Sequence, residues 1–288
     1  MTSEFEITVT VDNLPPGALV LAACGQSTPH AVSRGCDVSG GQVRHVTEAA
    51  TGLPALAISA AGPALTLRYR YEESKDGTYP EAMFHPTASR YTRAAEALLA
   101  EASDIAGTGP DDERSRRIAC AVAERFTYGH PDIRFNDGMD EVPLLGCGLT
   151  EGSCVDINTY FIASLRAAGI EAGYITGCFF PAEKRDWCED MHCWVVTRID
   201  DVFQEWDIAH YLKLGSRDIA PALNPKPGFR AALAHSMGLD FPELGVREVK
   251  LLSEPILLRD GRAERRESAS IRLRHPALTD IQPTEATL

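Results

Sequence analysis

The sequence predicts an α+β protein in which a helix opening at a cysteine packs on an antiparallel sheet, behind a β-rich N-terminal region. Three observations carry this. Within the first ~75 residues, FEITVTV and LTLRYRY alternate with a period of two, and ALVLAA and ALAISA are short apolar runs. Residues 151–177, EGSCVDINTYFIASLRAAGIEAGYITG, read as a loop, a helix, a turn and a strand. Residues 192–207, HCWVVTRIDDVFQEWD, read as two strands joined at Asp200–Asp201.

At 288 residues the chain has room for about two domains of ~150 residues each and for a sizeable core. The expected division is a β-rich domain over 1–80, a core over 81–225, a C-terminal extension over 226–275 and a flexible tail over 276–288. The 41 acidic side chains against 28 Lys and Arg give a net charge of −13. With no dense basic run, that charge argues against nucleic-acid and anionic-membrane partners. The N-terminus lacks the basic and apolar regions of a signal peptide, and no 18-residue apolar stretch occurs. The eight cysteines, none in a CxxC pair, are therefore expected to be thiols in a reducing cytoplasm.

The elements follow in order. Turn residues NLPPG, VSGGQ and AAGP separate the N-terminal strands. FHPTASRYTRAAEALLAEASDIAG reads as a helix, with Ala94, Leu98 and Leu99 apolar and Gly107 as its stop. A second helix, ERSRRIACAVAERFTYGH, puts Ile118, Val122 and Phe126 on one face and ends near Tyr128. Residues 130–150 read as irregular. In the next helix Ser153 is the N-cap, and Asp156 three residues on completes a capping signature. Ile157, Phe161, Leu165 and Ala168 mark its buried face, and Gly169 stops it. Further on, GFRAALAHSMGL reads as a helix and REVKLLSEPILL as a strand.

That capping places Cys154 in the first helical turn, where backbone N–H groups and the positive end of the dipole favour a thiolate and can hold an oxyanion. A thiolate needs a base. If the hairpin turns on Asp200–Asp201, paired residue numbers sum to 401, so His192 faces Ala209 and Asp207 faces Trp194. His192 and Asp207 are then diagonal neighbours on one face. An aspartate there fixes the imidazole tautomer and stabilises its cation. The result is a candidate Cys154–His192–Asp207 set.

These two segments resemble the core of the transglutaminase-like superfamily, a papain-like arrangement. The resemblance rests on Gly152, Cys154 and Asp156, the run Leu165, Arg166, Ala167, Gly169 and Ile170, then His192, Trp194 and Asp207. It spans about 115–212; the strand-rich start is similar to the β region that precedes this core in bacterial relatives. It implies that Cys154 is a nucleophile, His192 its general base and acid, and Asp207 the orienting carboxylate, acting on an amide through a thioester. Hydrolysis, as a protease or amidase, is the first expectation. An amide-forming acyltransferase and an inactive scaffold that binds a peptide or protein are the alternatives. A peptide, a protein or a small amide is the expected substrate. Two features depart from the family pattern: Ile208 follows Asp207 where proline is frequent, and the insert PAEKRDWCEDM precedes His192.

Tyr128 is the candidate oxyanion-hole donor, and Trp187 and Trp194 are candidate cleft walls. Cys147, Cys188 and Cys193 have spacings unsuited to zinc, so no metal is expected, and no motif calls for a cofactor. A disulfide from Cys154 to Cys147 or Cys188 is a further candidate. His210 reads as a surface or packing residue.

Overall fold

The computed structural model describes residues 3–85, 88–188, 191–259, 261–265 and 269–276. The N-terminal strands are β1 (Glu4–Val11), β2 (Leu19–Ala23), β3 (Ala31–Ser39), β4 (Gly41–Thr47), β5 (Pro54–Ala60) and β6 (Leu65–Glu73). After them come helices α1 (Glu96–Ala106) and α2 (Asp111–Ala123), short strands β7 (Phe126–Tyr128) and β8 (Thr150–Gly152), and helix α3 (Cys154–Ala167). Then follow β9 (Ala172–Pro181), β10 (Trp187–Cys188), β11 (Met191–Ile199), β12 (Val202–Trp206) and helix α4 (Ile208–Lys213). The last strands are β13 (Gly228–His235), β14 (Leu239–Phe241), β15 (Val246–Val249), β16 (Ile256–Arg259), β17 (Arg262–Arg265) and β18 (Ala269–Arg274).

Two five-stranded sheets, β10-β18-β1-β6-β3 and β17-β16-β2-β5-β4, face each other across one core. The alternation of FEITVTV explains its strand: Phe5, Ile7, Val9 and Val11 point inward, and Glu6, Thr8 and Thr10 point outward. The continuous run in β2 is buried from Val20 to Ala23, as an apolar strand between two covered faces must be.

The second body is a four-stranded antiparallel sheet, β12-β11-β9-β13. Helix α3 packs on one face with α1 and α2 behind it, and Tyr79, Met83 and Phe84 cover part of the other. The hairpin register holds, with Val195 opposite Trp206 and Ile199 opposite Val202. Asp200 and Asp201 form the two-residue turn with φ of 48° and 62°, the left-handed pair that suits the twist of the flanking strands.

Five expectations are corrected. The anticipated C-terminal extension, 226–275, is divided between the two bodies. β13 joins the second sheet against β9, while β16, β17 and β18 complete the sandwich against β2 and β1. GFRAALAHSMGL is a strand over 228–235 because pairing along β9 and burial of Ala231–Ala234 override alanine's helical preference. The first helix begins only at Glu96, because Val142 N–H donates to Arg93 O at 2.8 Å and Ala95 N–H to Val142 O at 3.0 Å, which holds the chain extended before it. The second helix stops at Ala123, and Tyr128 lies instead on β7, paired in parallel with β8. REVKLLSEPILL is two short strands separated by residues 250–255. Most of the anticipated tail, 277–288, lies outside the described residues.

An aspartate in the left-handed region carries a cost that glycine lacks. Asp201→Gly is therefore expected to stabilise the protein by about 1 kcal/mol, read as a rise in the chemical-denaturation midpoint at unchanged slope.

Candidate active site

Local sequence fixes the start of α3. The Ser153 backbone N–H and hydroxyl donate to Asp156 Oδ2 at 2.8 and 2.7 Å. Arg134, from the irregular segment, puts Nη1 2.6 Å from the same oxygen and 2.9 Å from Ser153 Oγ. The cap is thus clamped from outside the helix, and Cys154 sits at the first helical position, 7% exposed. Its N–H belongs to the first turn, whose N–H groups have no intrahelical acceptor. Cys154 and His192 line one cavity of about 270 Å³, with Arg134, Val155, Met191 and Lys250 among its other walls.

His192 is the second residue of β11 and pairs with Gly177 of β9, beyond the end of β12. On its other side Gly177 lies against β13, and a Cβ there would come 2.0 Å from Ala231 O, so that approach needs a glycine. His192 Nε2 lies 2.7 Å from Asp207 Oδ2. Asp207 ends the hairpin and caps α4, with Oδ1 accepting from the His210 N–H at 3.0 Å. Its Oδ2 also takes His210 Nδ1 and Arg230 Nη2, each at 2.8 Å. Because Asp207 occupies Nε2, Nδ1 is the ring nitrogen left for Cys154, with which His192 is hydrogen-bonded.

The electrostatics follow from these contacts. A hydrogen bond with Cys193 is the largest influence lowering the Cys154 thiol. Burial opposes it, the hydrogen bond and charge of His192 and the charge of Lys213 add to it, and the thiol ends well below its ordinary 9.0. Burial and Cys154 push Cys193 upward instead, so Cys193 keeps its proton and donates it to its neighbour. Burial alone would lower His192, but the charge and hydrogen bond of Asp207, with Cys154, raise it to about 9. Burial would raise Asp207, but the charges of His192 and Arg230 hold it well below the usual carboxylate range. Burial takes His210 down to about 4. A neutral His210 ring therefore stacks on His192 at 4.2 Å and 6°. The Asp207 carboxylate thus faces the His192 imidazole and the Arg230 guanidinium, and the lowered Cys154 thiol faces the same imidazole.

His192, Asp207 and His210 bring candidate ligand atoms within 4.8 Å of one another. They do not suit a cation. Both imidazoles already meet the same carboxylate oxygen, and the Arg230 guanidinium, itself positive, holds that oxygen too.

The hairpin register brings His192 and Asp207 together, and the packing of α3 on the sheet puts Cys154 beside His192 in the cavity wall. Trp194 is not a cleft wall. It is 1% exposed in the core with Ile175 and Val196, under the Arg230 guanidinium at 4.8 Å. Nor is Trp187, which pairs with Arg272 of the sandwich and carries Lys184 over its ring. Tyr128 pairs with Gly152, two residues before Cys154, and its hydroxyl lies 3.1 Å from His130 Nε2. Lys213 Nζ sits 4.1 Å above the Tyr128 ring. His210 is buried against Asp207, not exposed, because the turn after Asp207 is helical. Cys147 is exposed and all eight cysteines are free thiols. Cys193, and not Cys147 or Cys188, is the thiol hydrogen-bonded to Cys154. Sequence reasoning missed Arg134, Cys193, Arg230 and Lys250. Of the cluster around Asp207, only His210, one helical turn after it, carried a readable signal.

Among protein families, the transglutaminase-like superfamily matches residues 100–208. No curated protein matches the chain. Among solved structures, a protein from Cytophaga hutchinsonii proposed to be a cysteine protease is 12% identical. It covers 96% of this chain and 98% of its own at a TM-score of 0.51, which is a likeness of fold along the whole length. The periplasmic domain of TgpA from Pseudomonas aeruginosa is 15% identical, covering 74% of this chain and 89% of its own, with a TM-score of 0.37.

Arg230→Met leaves the Asp207 carboxylate buried without its permanent counter-charge. A loss of about 3–5 kcal/mol in unfolding free energy at neutral pH is expected, measured by denaturant titration. Cys193→Ala removes the main hydrogen bond lowering the Cys154 thiol, so the pH midpoint of Cys154 alkylation should move upward.

Proposed function

We propose that this chain, whose residues 100–208 form a transglutaminase-like core, is a cysteine-dependent enzyme that cleaves an amide by acyl transfer. Cys154 is the nucleophile, His192 the general base and acid, and Asp207 the residue that orients His192. One observation carries the reading: a thiol held low by its neighbours is hydrogen-bonded to an imidazole whose other nitrogen is 2.7 Å from a buried carboxylate.

In this mechanism the Cys154 thiolate attacks the amide carbonyl carbon, and the oxyanion that forms is held by first-turn N–H groups of α3. Tyr128, tied to Gly152 by β7–β8 pairing, is the candidate side-chain donor to that oxyanion. The C–N bond breaks as the His192 imidazolium protonates the leaving amine. Water, deprotonated by His192, then hydrolyses the thioester and returns Cys154 to the thiolate. Asp207 keeps Nε2 occupied throughout, so Nδ1 does the proton transfer. Hydrolysis is favoured over transfer because nothing in the cavity singles out an amine acceptor. The structural neighbour proposed to be a cysteine protease shares the fold.

The test is product analysis by mass spectrometry on a library of peptides and small amides, with and without an added primary amine. Cleaved products with water incorporated support the reading. Amine adducts in excess would point to an amide-forming transferase. No turnover, with Cys154 no more reactive than the other cysteines, would leave a binding scaffold. Cys154→Ala should reduce cleavage by at least ~10³-fold, and His192→Ala by about 10²–10⁴-fold.

The pH dependence has a definite sign. A lowered thiol is ionised already at neutral pH, and an imidazole raised to about 9 keeps its proton until then. kcat/KM should therefore hold a plateau through neutrality and fall as pH rises through about 9. The acid limb should lie well below the 9.0 of an ordinary thiol. A profile that rises through the ordinary thiol range would contradict the ion pair.

A further inference from the structure

The cavity beside Cys154 is not electrically neutral. Its walls are largely apolar, with Val155, Met191, Val249 and Leu251 among them, but Arg134 and Lys250 also line it. Arg134 is committed at one nitrogen, Nη1, to Asp156 and Ser153. Among the described residues its other guanidinium nitrogens take no partner. Lys250 is half-buried on the segment after β15, with Nζ 5.5 Å from the Tyr91 ring centre. Among the described residues it has no ion pair. Burial accordingly lowers its pKa, while Asp156 and Asp137 raise it and Arg134 lowers it through space. Two cations so placed repel each other and gain from an anion between them. Among the described residues one carboxylate lines the cavity, that of Glu254; it acts through space on Cys178 and has an interaction of its own.

We propose that this cavity selects an acyl donor bearing a carboxylate, which Arg134 and Lys250 bind while the scissile carbonyl lies at Cys154. The proposal rests on the reading of Cys154 as a nucleophile. A cavity of about 270 Å³ holds one residue-sized group, not an extended peptide. The carboxylate is thus part of the residue next to the cleaved bond. It is either the C-terminal carboxylate of the residue that leaves as the amine or an acidic side chain. In both, the guanidinium offers paired N–H donors and the ammonium a point charge. The apolar walls exclude water and strengthen the attraction.

Two alkylating agents of nearly equal size, iodoacetate and iodoacetamide, test this without a known substrate. Each forms a C–S bond at Cys154 and expels iodide, and they differ by one negative charge. The ratio of their rates at Cys154 is read by peptide mass spectrometry in the full chain, in Lys250→Met and in Lys250→Arg. Lys250→Met should lower the iodoacetate-to-iodoacetamide ratio by about fivefold, the effect of one charge at short range in a partly dry site. Lys250→Arg should hold it within about twofold of the parent. A ratio that does not move in Lys250→Met, or falls equally in both variants, overturns the charge-recognition proposal. If instead Cys154 alkylates no faster than the other cysteines with either reagent, the nucleophile reading fails first, and the two failures are distinct. A matched peptide set then separates the sources. A gain in kcat/KM for a free C-terminus over its amide assigns the terminal carboxylate, and a gain for glutamate over glutamine assigns the side chain. Equal rates across both pairs overturn the proposal.

Discussion

A carboxylate with no exposure to water stays charged only if the protein supplies the partners that water would have offered. Asp207 is fully buried and accepts from the His192 ring, the His210 ring, the His210 backbone and the Arg230 guanidinium. Those donors come from β11, from α4 and from β13, so one side chain joins three elements of the second body. The charge of Asp207 also keeps the His192 imidazole protonated, and the protonated imidazole in turn lowers the Cys154 thiol. Neutral His210 fills the remaining side without adding charge. Removing Asp207 would do more than free a histidine. It would leave the Arg230 guanidinium buried without its carboxylate and take away the charge that holds the proton on His192.

The two bodies are interleaved. The sandwich core includes Cys178, Phe180 and Met191, which belong to the strands that present His192, together with Ala231, Leu233 and Ala234 of β13. By strand alternation these side chains lie on the same face of the sheet as Tyr174, Cys193 and Val195, so the sandwich packs on that face beyond the part that α3 covers. Misplacing a sandwich strand would therefore disturb the strand pairing that sets His192 against Gly177. The sandwich reaches the cavity wall itself through Ile256 of β16 and Ala263 of β17.

The legible part of the sequence was local. The alternation in β1 and β6, the capping signature at Ser153 and Asp156, and the two-residue turn at Asp200–Asp201 are each decided by residues within a few positions of one another. The structure realises all of them. Cys154, His192 and Asp207 were legible because two of the three lie on one hairpin whose register the turn fixes. What could not be read depends on distant partners. Ala231–Ala234 have helical propensity and become a strand only because β9 lies alongside. Arg230, 23 residues beyond Asp207, and Arg134, 22 residues before Asp156, look like ordinary surface cations until the fold brings them to those carboxylates. Tyr128 looked helical because nothing local announces its pairing with β8. Trp194 looked like a cleft residue because proximity in sequence says nothing about which face of the strand is covered.

The late return of the chain has a consequence for the order in which the protein is made. β18 completes the sheet that begins with β1, and the two are separated by nearly the whole length of the polypeptide. A nascent chain ending before residue 230 carries Cys154, His192 and Asp207 but lacks Arg230, and lacks the Lys250 side of the cavity as well. That fragment leaves Asp207 without its guanidinium partner, and its cavity lacks the wall from Val249 to Ala263. During synthesis the cavity beside Cys154 is therefore completed only after Arg230 and Lys250 have been added to the chain.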